Sequence, residues 1–209
     1  MSTVSLVVRN ALWKKKKVDL LVARGRVASL IPSARKTRVE SAQELDASGL
    51  LLLPSLTDCH THLREPGFEY KEDIASGLDA AAHGGFGNVL CMANTNPVND
   101  SATVTTYIVE KARREAVVNV FPIGAITKGS GGEELASIGS MVAAGAVAIS
   151  DDGRPVMNAR VFRRAMEVAR ALDIPIIQHC EDLNLSAGGD MHECVESVRL
   201  GLHGIPSAA

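Results

Sequence analysis

A chain of 209 residues, 46% hydrophobic and 22% charged, has ample apolar material for a buried core, as one globular unit or one and a fraction. Its apolar runs are short and broken, so no membrane span of roughly 18 uninterrupted apolar residues is expected, and the first six residues lack the basic-then-apolar order of a secretory signal. Lys+Arg 22 against Asp+Glu 24 gives a formal net charge of −2, and 3% aromatic residues offer neither a basic footprint nor base-stacking rings, so nucleic acid is not an expected partner.

The first fifty residues read as a small β unit. Residues 4–8 and 18–22 have strand character, with the run Lys14 to Lys17 between them as a solvated hairpin tip. Arg24-Gly25-Arg26 turns the chain into a further strand at 27–31. A polar stretch, 32–44, leads out of this unit, and Asp46-Ala47-Ser48-Gly49 makes the turn into the remainder of the chain.

From Leu50 the rhythm changes. Apolar strands are predicted at 51–57, 87–93, 117–123, 146–150 and 174–178, and helices at 73–83, 104–116, 134–144 and 161–172. A period of about thirty residues is that of a βαβ unit, and nearly continuous apolar strands between amphipathic helices imply a parallel sheet covered by helices. Periodicity alone does not separate a doubly wound sheet from part of a (β/α)₈ barrel. The four cysteines (Cys59, Cys91, Cys180, Cys194) show no CxxC spacing, which favours buried thiols in a reducing, cytoplasmic setting over a disulfide framework.

Polar clusters fall at the carboxyl ends of these strands, where α/β enzymes hold their ligands. Strand one ends in Asp58-Cys59-His60-Thr61-His62-Leu63-Arg64-Glu65-Pro66-Gly67, strand two in Asn94-Thr95-Asn96-Pro97, strand four in Asp151-Asp152-Gly153, and strand five in His179-Cys180-Glu181-Asp182. Residues i and i+2 of a strand share a face, so His60 and His62 can reach one metal ion. Asp152 and His179 add a carboxylate and a third imidazole at the same rim. Arg64, just past the pair, suits a bidentate grip on a substrate carboxylate, unless it pairs with Glu65 or Glu69; Asn94 offers amide contacts to the same anion.

These strings resemble the dihydroorotase family, zinc amidohydrolases that interconvert N-carbamoyl-L-aspartate and L-dihydroorotate. The resemblance runs through essentially the whole chain. It implies a distorted TIM barrel (residues 51–209, the first five βα units) with a metal-dependent hydrolase centre, and half of a small β-sandwich (residues 1–50). His60, His62, Asp152 and His179 would be the metal ligands for one or two Zn²⁺, with Asp152 bridging the ions if two are bound. His62, Arg64 and Asn94 would contact the substrate. Hydantoinases, allantoinases and many dihydroorotases, similar in the HxH strand, carry a bridging carboxylated lysine on strand four. The stretch Ala146-Val147-Ala148-Ile149-Ser150-Asp151-Asp152 has no lysine and resembles the bacterial dihydroorotase type with aspartate in its place. The resemblance favours Asp152, whose spacing to His179 matches the family pattern, and Asp151 stays open.

The resemblance further implies an eight-stranded barrel, of which ~250 residues is a typical size. The expectation is therefore a chain cut after strand five, without the family's strand-six histidine and general-base aspartate, and inactive alone. Other cyclic amidohydrolases, and an inactive dihydroorotase-like fragment or scaffold bound to aspartate carbamoyltransferase, are the rival readings. Self-association is a further expected partnership.

Overall fold

Lys14 and Lys15 both adopt positive φ (47° and 64°), the primed turn that suits strand twist, and join β1 (Leu6–Trp13) to β2 (Lys16–Ala23). Arg24 and Gly25 repeat the device (52° and 70°) before β3 (Arg26–Pro32). The lysine run is thus a hairpin tip, with Lys14 set over the Trp13 ring. β1 runs on well past the expected end at Val8 because a bulge between Val8 and Ala11, where Asn10 has φ 61°, absorbs the break in its pattern.

In this computed structural model, residues 4–35, 39, 42–115 and 117–209 are described. They divide into two units, one ending at Pro54 and one beginning at Ser55. The sheet of the first has the order β3-β2-β1-β4, β4 being Gln43–Asp46, an edge strand parallel to β1. The polar stretch was not expected to yield a strand; its residues 36–38, 40 and 41 lie outside the described ones. β4 carries no apolar alternation, and polar pairs fasten it instead: Arg9 to Glu44, and Asn10 Nδ2 to Asp46 Oδ1 at 3.0 Å. Residues 51–53, expected in the first barrel strand, belong to this unit. The Leu12 amide donates to Leu50 O at 2.9 Å, and the Leu52 amide to Leu12 O at 2.9 Å.

The second unit alternates β5 (Leu56–Thr61), α1 (Ile74–His83), β6 (Phe86–Cys91), α2 (Ala102–Glu115), β7 (Asn119–Gly124), α3 (Ile138–Ala143), β8 (Ala148–Ile149) and α4 (Ala159–Ala171). The four strands are parallel and ordered β5-β6-β7-β8. A doubly wound sheet reverses its order at a switch point; this sheet advances by one neighbour at each crossover, as a (β/α) barrel does. Asp73 starts α1 as a capping residue, its carboxylate accepting from the Ser76 amide at 2.7 Å. Ile74 and Leu78 of α1 pack with Val89 and Cys91 of β6 and with Val104 and Ile108 of α2. A second cluster joins Ile126, Ile138, Met141, Ile149 and Ala165.

Two expectations fail for backbone reasons. Residues 134–137 are not helical, because their backbone pairs with the loop after β7: the Lys128 amide donates to Glu134 O at 2.8 Å and the Ala136 amide to Ile126 O at 3.0 Å. The fifth strand contracts to one bridge, Ile149 to Ile176, since β8 offers two residues and Pro175 has no amide proton to give. Beyond it come α5 (Leu183–Ser186), β9 (Met191–His192), α6 (Val195–Leu200) and β10 (Gly204–Ile205), β9 and β10 being parallel; no element was expected there. Among the described residues no helix is long and apolar enough to cross a membrane.

Candidate metal centre

β5 carries one residue more than β6 between its paired positions, with Asp58 opposite Val89 and Thr61 opposite Cys91. His60 sits in this bulge, its amide donating to Asp58 Oδ1 at 3.0 Å. Bulges re-aim side chains, so the plain alternation of an HxH strand is locally broken. The two imidazoles still meet, with centroids 5.1 Å apart and planes at 69°. The Thr61 hydroxyl, donating to Leu90 O at 2.9 Å, locks the strand end between them.

Asp152, beyond β8, faces both rings. Its Oδ1 lies 3.2 Å from His60 Nε2 and its Oδ2 3.6 Å from His62 Nε2. Asn94 joins the pair, its Nδ2 donating to Asp152 Oδ2 at 3.1 Å while its Oδ1 lies 3.0 Å from His62 Nδ1. A carboxylate only accepts and an amide oxygen only accepts, so this chain of contacts puts the His62 ring proton on Nδ1 and leaves Nε2 toward Asp152. The ligand atoms of His60, His62 and Asp152 all lie within 4.8 Å of one another. Tetrahedral Zn²⁺ with bonds of ~2.0–2.2 Å sets neighbouring ligand atoms ~3.3–3.6 Å apart, and the His60 and His62 nitrogens stand 3.2 and 3.6 Å from the two Asp152 oxygens. Two imidazoles, one carboxylate and an amide steadying one ring fit a divalent metal of the zinc type.

His179 stands outside this group. Its Nε2 pairs with Glu181 Oε2 at 3.0 Å, on the irregular segment past the single bridge of the fifth strand. Arg64 is half-buried with φ 61°, held in a tight turn by the Glu65 amide donating to Leu63 O at 2.7 Å. Neither anticipated acid neutralises it. Glu69 accepts from the Gly67 amide at 2.8 Å, and Glu65 turns inward; among the described residues the Arg64 guanidinium has no hydrogen-bond or ion-pair partner.

Two further acids, Glu65 and Asp151, frame the site. Glu65 is buried and accepts from the Ile74 amide at 2.9 Å and from the Tyr107 hydroxyl at 2.6 Å, with Lys111 Nζ at 3.8 Å. The bond to Glu65, more than burial, pushes the Tyr107 phenol up to about 12. Asp151 points away from the histidines into the protein. Burial pushes its carboxyl above the usual range, against bonds from Thr127 and Ile126 that pull it down. The sequence offered Glu65 as a partner for Arg64 and left Asp151 open as the alternative to Asp152 at the metal; the structure gives Glu65 to Ile74 and Tyr107 and Asp151 to Ile126 and Thr127.

A family model described as dihydro-orotase-like matches residues 49–209. The dihydroorotase of Solibacter usitatus is 65% identical over 191 residues, which are 91% of this chain and 44% of that protein. That of Geotalea daltonii is 53% identical over 192 residues (92% and 45%), and that of Pelotomaculum thermopropionicum 51% over 203 residues (97% and 47%). The chain therefore spans a little under half the length of the curated relatives it matches. Among solved structures, the L-hydantoinase (dihydropyrimidinase) from Arthrobacter aurescens aligns with TM-score 0.73 at 18% identity, over 87% of this chain and 42% of that one. The dihydropyrimidinase from Brevibacillus agri gives 0.65 at 19% identity, over 86% and 40%. At such identities the likeness is one of fold, that of a partial TIM-type barrel preceded by a β-sheet unit.

Proposed function

The chain belongs to the dihydro-orotase-like family, and from that premise we propose that it carries the metal- and carboxylate-binding portion of a dihydroorotase, a Zn²⁺-dependent hydrolase that reversibly opens dihydroorotate to N-carbamoyl-L-aspartate. The observation that carries this reading is the convergence of His60, His62 and Asp152. When bound, Zn²⁺ supplies a water with its pKa lowered toward ~7 and polarises the ring carbonyl.

The chain's own residues have separable tasks. His60, His62 and Asp152 hold the ion, and the resemblance adds His179, whose imidazole must first exchange Glu181 for the metal. If two ions bind, the resemblance makes Asp152 the ligand that would be shared between them, with His60 and His62 serving one of the two. Asn94 keeps the His62 Nδ1 proton in place and steadies the Asp152 carboxylate. Arg64, half-buried and unneutralised, is the natural seat for the substrate carboxylate. A guanidinium fork on a carboxylate fixes the ring in plane as well as in place. His62 and Asn94 would contact the same substrate, Asn94 at the expense of one of its present bonds. Cytoplasmic residence accords with the four cysteines, all of them free thiols.

Elemental analysis tests the metal. Protein purified in zinc should retain it, and the His60→Ala/His62→Ala double variant should not; equal zinc in the two refutes the reading. Substrate class is read by offering dihydroorotate beside hydantoin and allantoin to a full-length protein carrying this portion. Preference for either of the latter would move the assignment to another cyclic amidohydrolase.

A further inference from the structure

The Asp151-Asp152 doublet gives one carboxylate to the candidate metal centre and leaves the other without a task. Asp151 is only 1% exposed. Its Oδ1 accepts from the amides of Ile126 at 2.8 Å and Thr127 at 3.1 Å, and its Oδ2 from the Thr127 hydroxyl. That hydroxyl oxygen also accepts from the Gly132 amide at 2.8 Å, so loop 126–132 closes around a single buried carboxylate. The neighbouring backbone is fastened as well. The Ser150 amide donates to Gly124 O at 2.8 Å, the Asp152 amide to Ser150 Oγ at 3.0 Å, and the Arg154 amide to Asp151 O at 2.9 Å.

With the backbone fixed on both sides of Asp151 and its carboxylate engaged inward, the Asp152 side chain is left to face His60, His62 and Asn94. We propose that Asp151 is a positioning residue for the metal centre: it ties loop 126–132 to the end of β8 and so fixes the backbone from which Asp152 reaches the histidines. The proposal rests on Asp152 being a ligand. It deepens that reading by making the order of the doublet functional, the first acid gripping the protein and the second the ion. Buried polar networks specify one arrangement when every member is satisfied, and outer partners of metal ligands act by orienting them.

The test uses Co²⁺ as the probe, titrated into the 209-residue chain while affinity and the visible absorption of the bound ion are recorded. Asp151→Ala should weaken Co²⁺ about 10–100-fold, as loss of such outer partners does, and should change the spectrum. Asp151→Asn should rescue both. Its amide oxygen can accept from Ile126 and Thr127, and its amide nitrogen can donate to Thr127 Oγ1, so the grip survives without the charge. Wild-type affinity and spectrum in Asp151→Ala overturn the proposal. So does an Asp151→Asn variant as weak as Asp151→Ala, because the charge itself would then be at work. Asp152→Asn serves as the control for the underlying reading: if it binds Co²⁺ like wild type, the ligand assignment fails and the proposal with it, whereas its loss beside a normal Asp151→Ala sinks the proposal alone. Should Asp151→Ala not fold, Thr127→Val carries the test. Removing that hydroxyl frees Asp151 Oδ2, and weaker Co²⁺ binding with an altered spectrum is expected; no change overturns the inference.

Discussion

Replacing Tyr107 by Phe deletes one oxygen and probes how the loop after the HxH strand is held. The hydroxyl donates at 2.6 Å to Glu65, and the nearest cation, Lys111, is 3.8 Å from the same carboxylate oxygen. A hydrogen bond to a charged group contributes about 1.5–3 kcal/mol. Tyr107 is itself 43% exposed, which places it near the lower figure because water screens and competes. About 1.5 kcal/mol corresponds to a drop in Tm of about 3–6 °C in a protein of this size. Urea and thermal unfolding followed by circular dichroism measure it. Glu65→Ala loses the Tyr107 and Ile74 bonds together and should cost about 3–4.5 kcal/mol on the same scale. With Glu65 gone the hydroxyl has lost its partner, so Tyr107→Phe added to Glu65→Ala should cost little more. The phenol gives an independent check. A pKa raised to about 12 means that stability from this bond is fully present below the ordinary tyrosine value of ~10 and is lost as pH rises through 12. Ultraviolet titration should show the late phenol, and Glu65→Ala should bring it back toward the ordinary value. A Tyr107→Phe protein within about 0.5 kcal/mol of wild type, or costs that simply add, would refute the clamp.

In a full-length dihydroorotase carrying this portion, Arg64→Met should keep the metal while kcat/KM for dihydroorotate falls roughly ten- to more than a hundred-fold, the worth of one charge-assisted contact; metal analysis beside steady-state kinetics separates the two effects. Gly67 has φ 94°, and a Cβ there would lie 2.0 Å from Asn96 O. Gly67→Ala should therefore lose more than the ~1–2 kcal/mol of a left-handed alanine, read from the urea midpoint. Burial raises the Asp19 carboxyl, but bonds from the Asn10 amide, Ser33 Oγ and Arg9 outweigh it and leave the group below the usual range. Its stabilisation is thus present above the ordinary aspartate value of ~3.9 and lost as pH falls through the lower folded value. Asp19→Asn should flatten the acid limb of the stability curve, and an unchanged limb would assign that sensitivity elsewhere.

Side-chain type and strand periodicity already located the rim in the sequence. His60, His62 and the Asp151-Asp152 doublet were legible as candidates because imidazole and carboxylate at strand ends have few other uses in combination, and the ligand atoms of His60, His62 and Asp152 do converge. The parallel α/β character was legible too, since apolar runs of strand length alternate with amphipathic helices. Pairing partners were not. β4 is a strand because β1 offers it an edge, not because Gln43, Glu44 and Asp46 prefer one, and residues 134–137 are not helical because loop 126–132 takes up their backbone groups. The bulge that aims His60 needs an extra residue counted against β6, a comparison between strands about thirty residues apart. Nor does composition tell which acid of a doublet turns inward: Asp151 and Asp152 are the same residue type one position apart. Only the tertiary structure, by bringing the amides of Ile126 and Thr127 to one side and the imidazoles of His60 and His62 to the other, gives the two carboxylates different work.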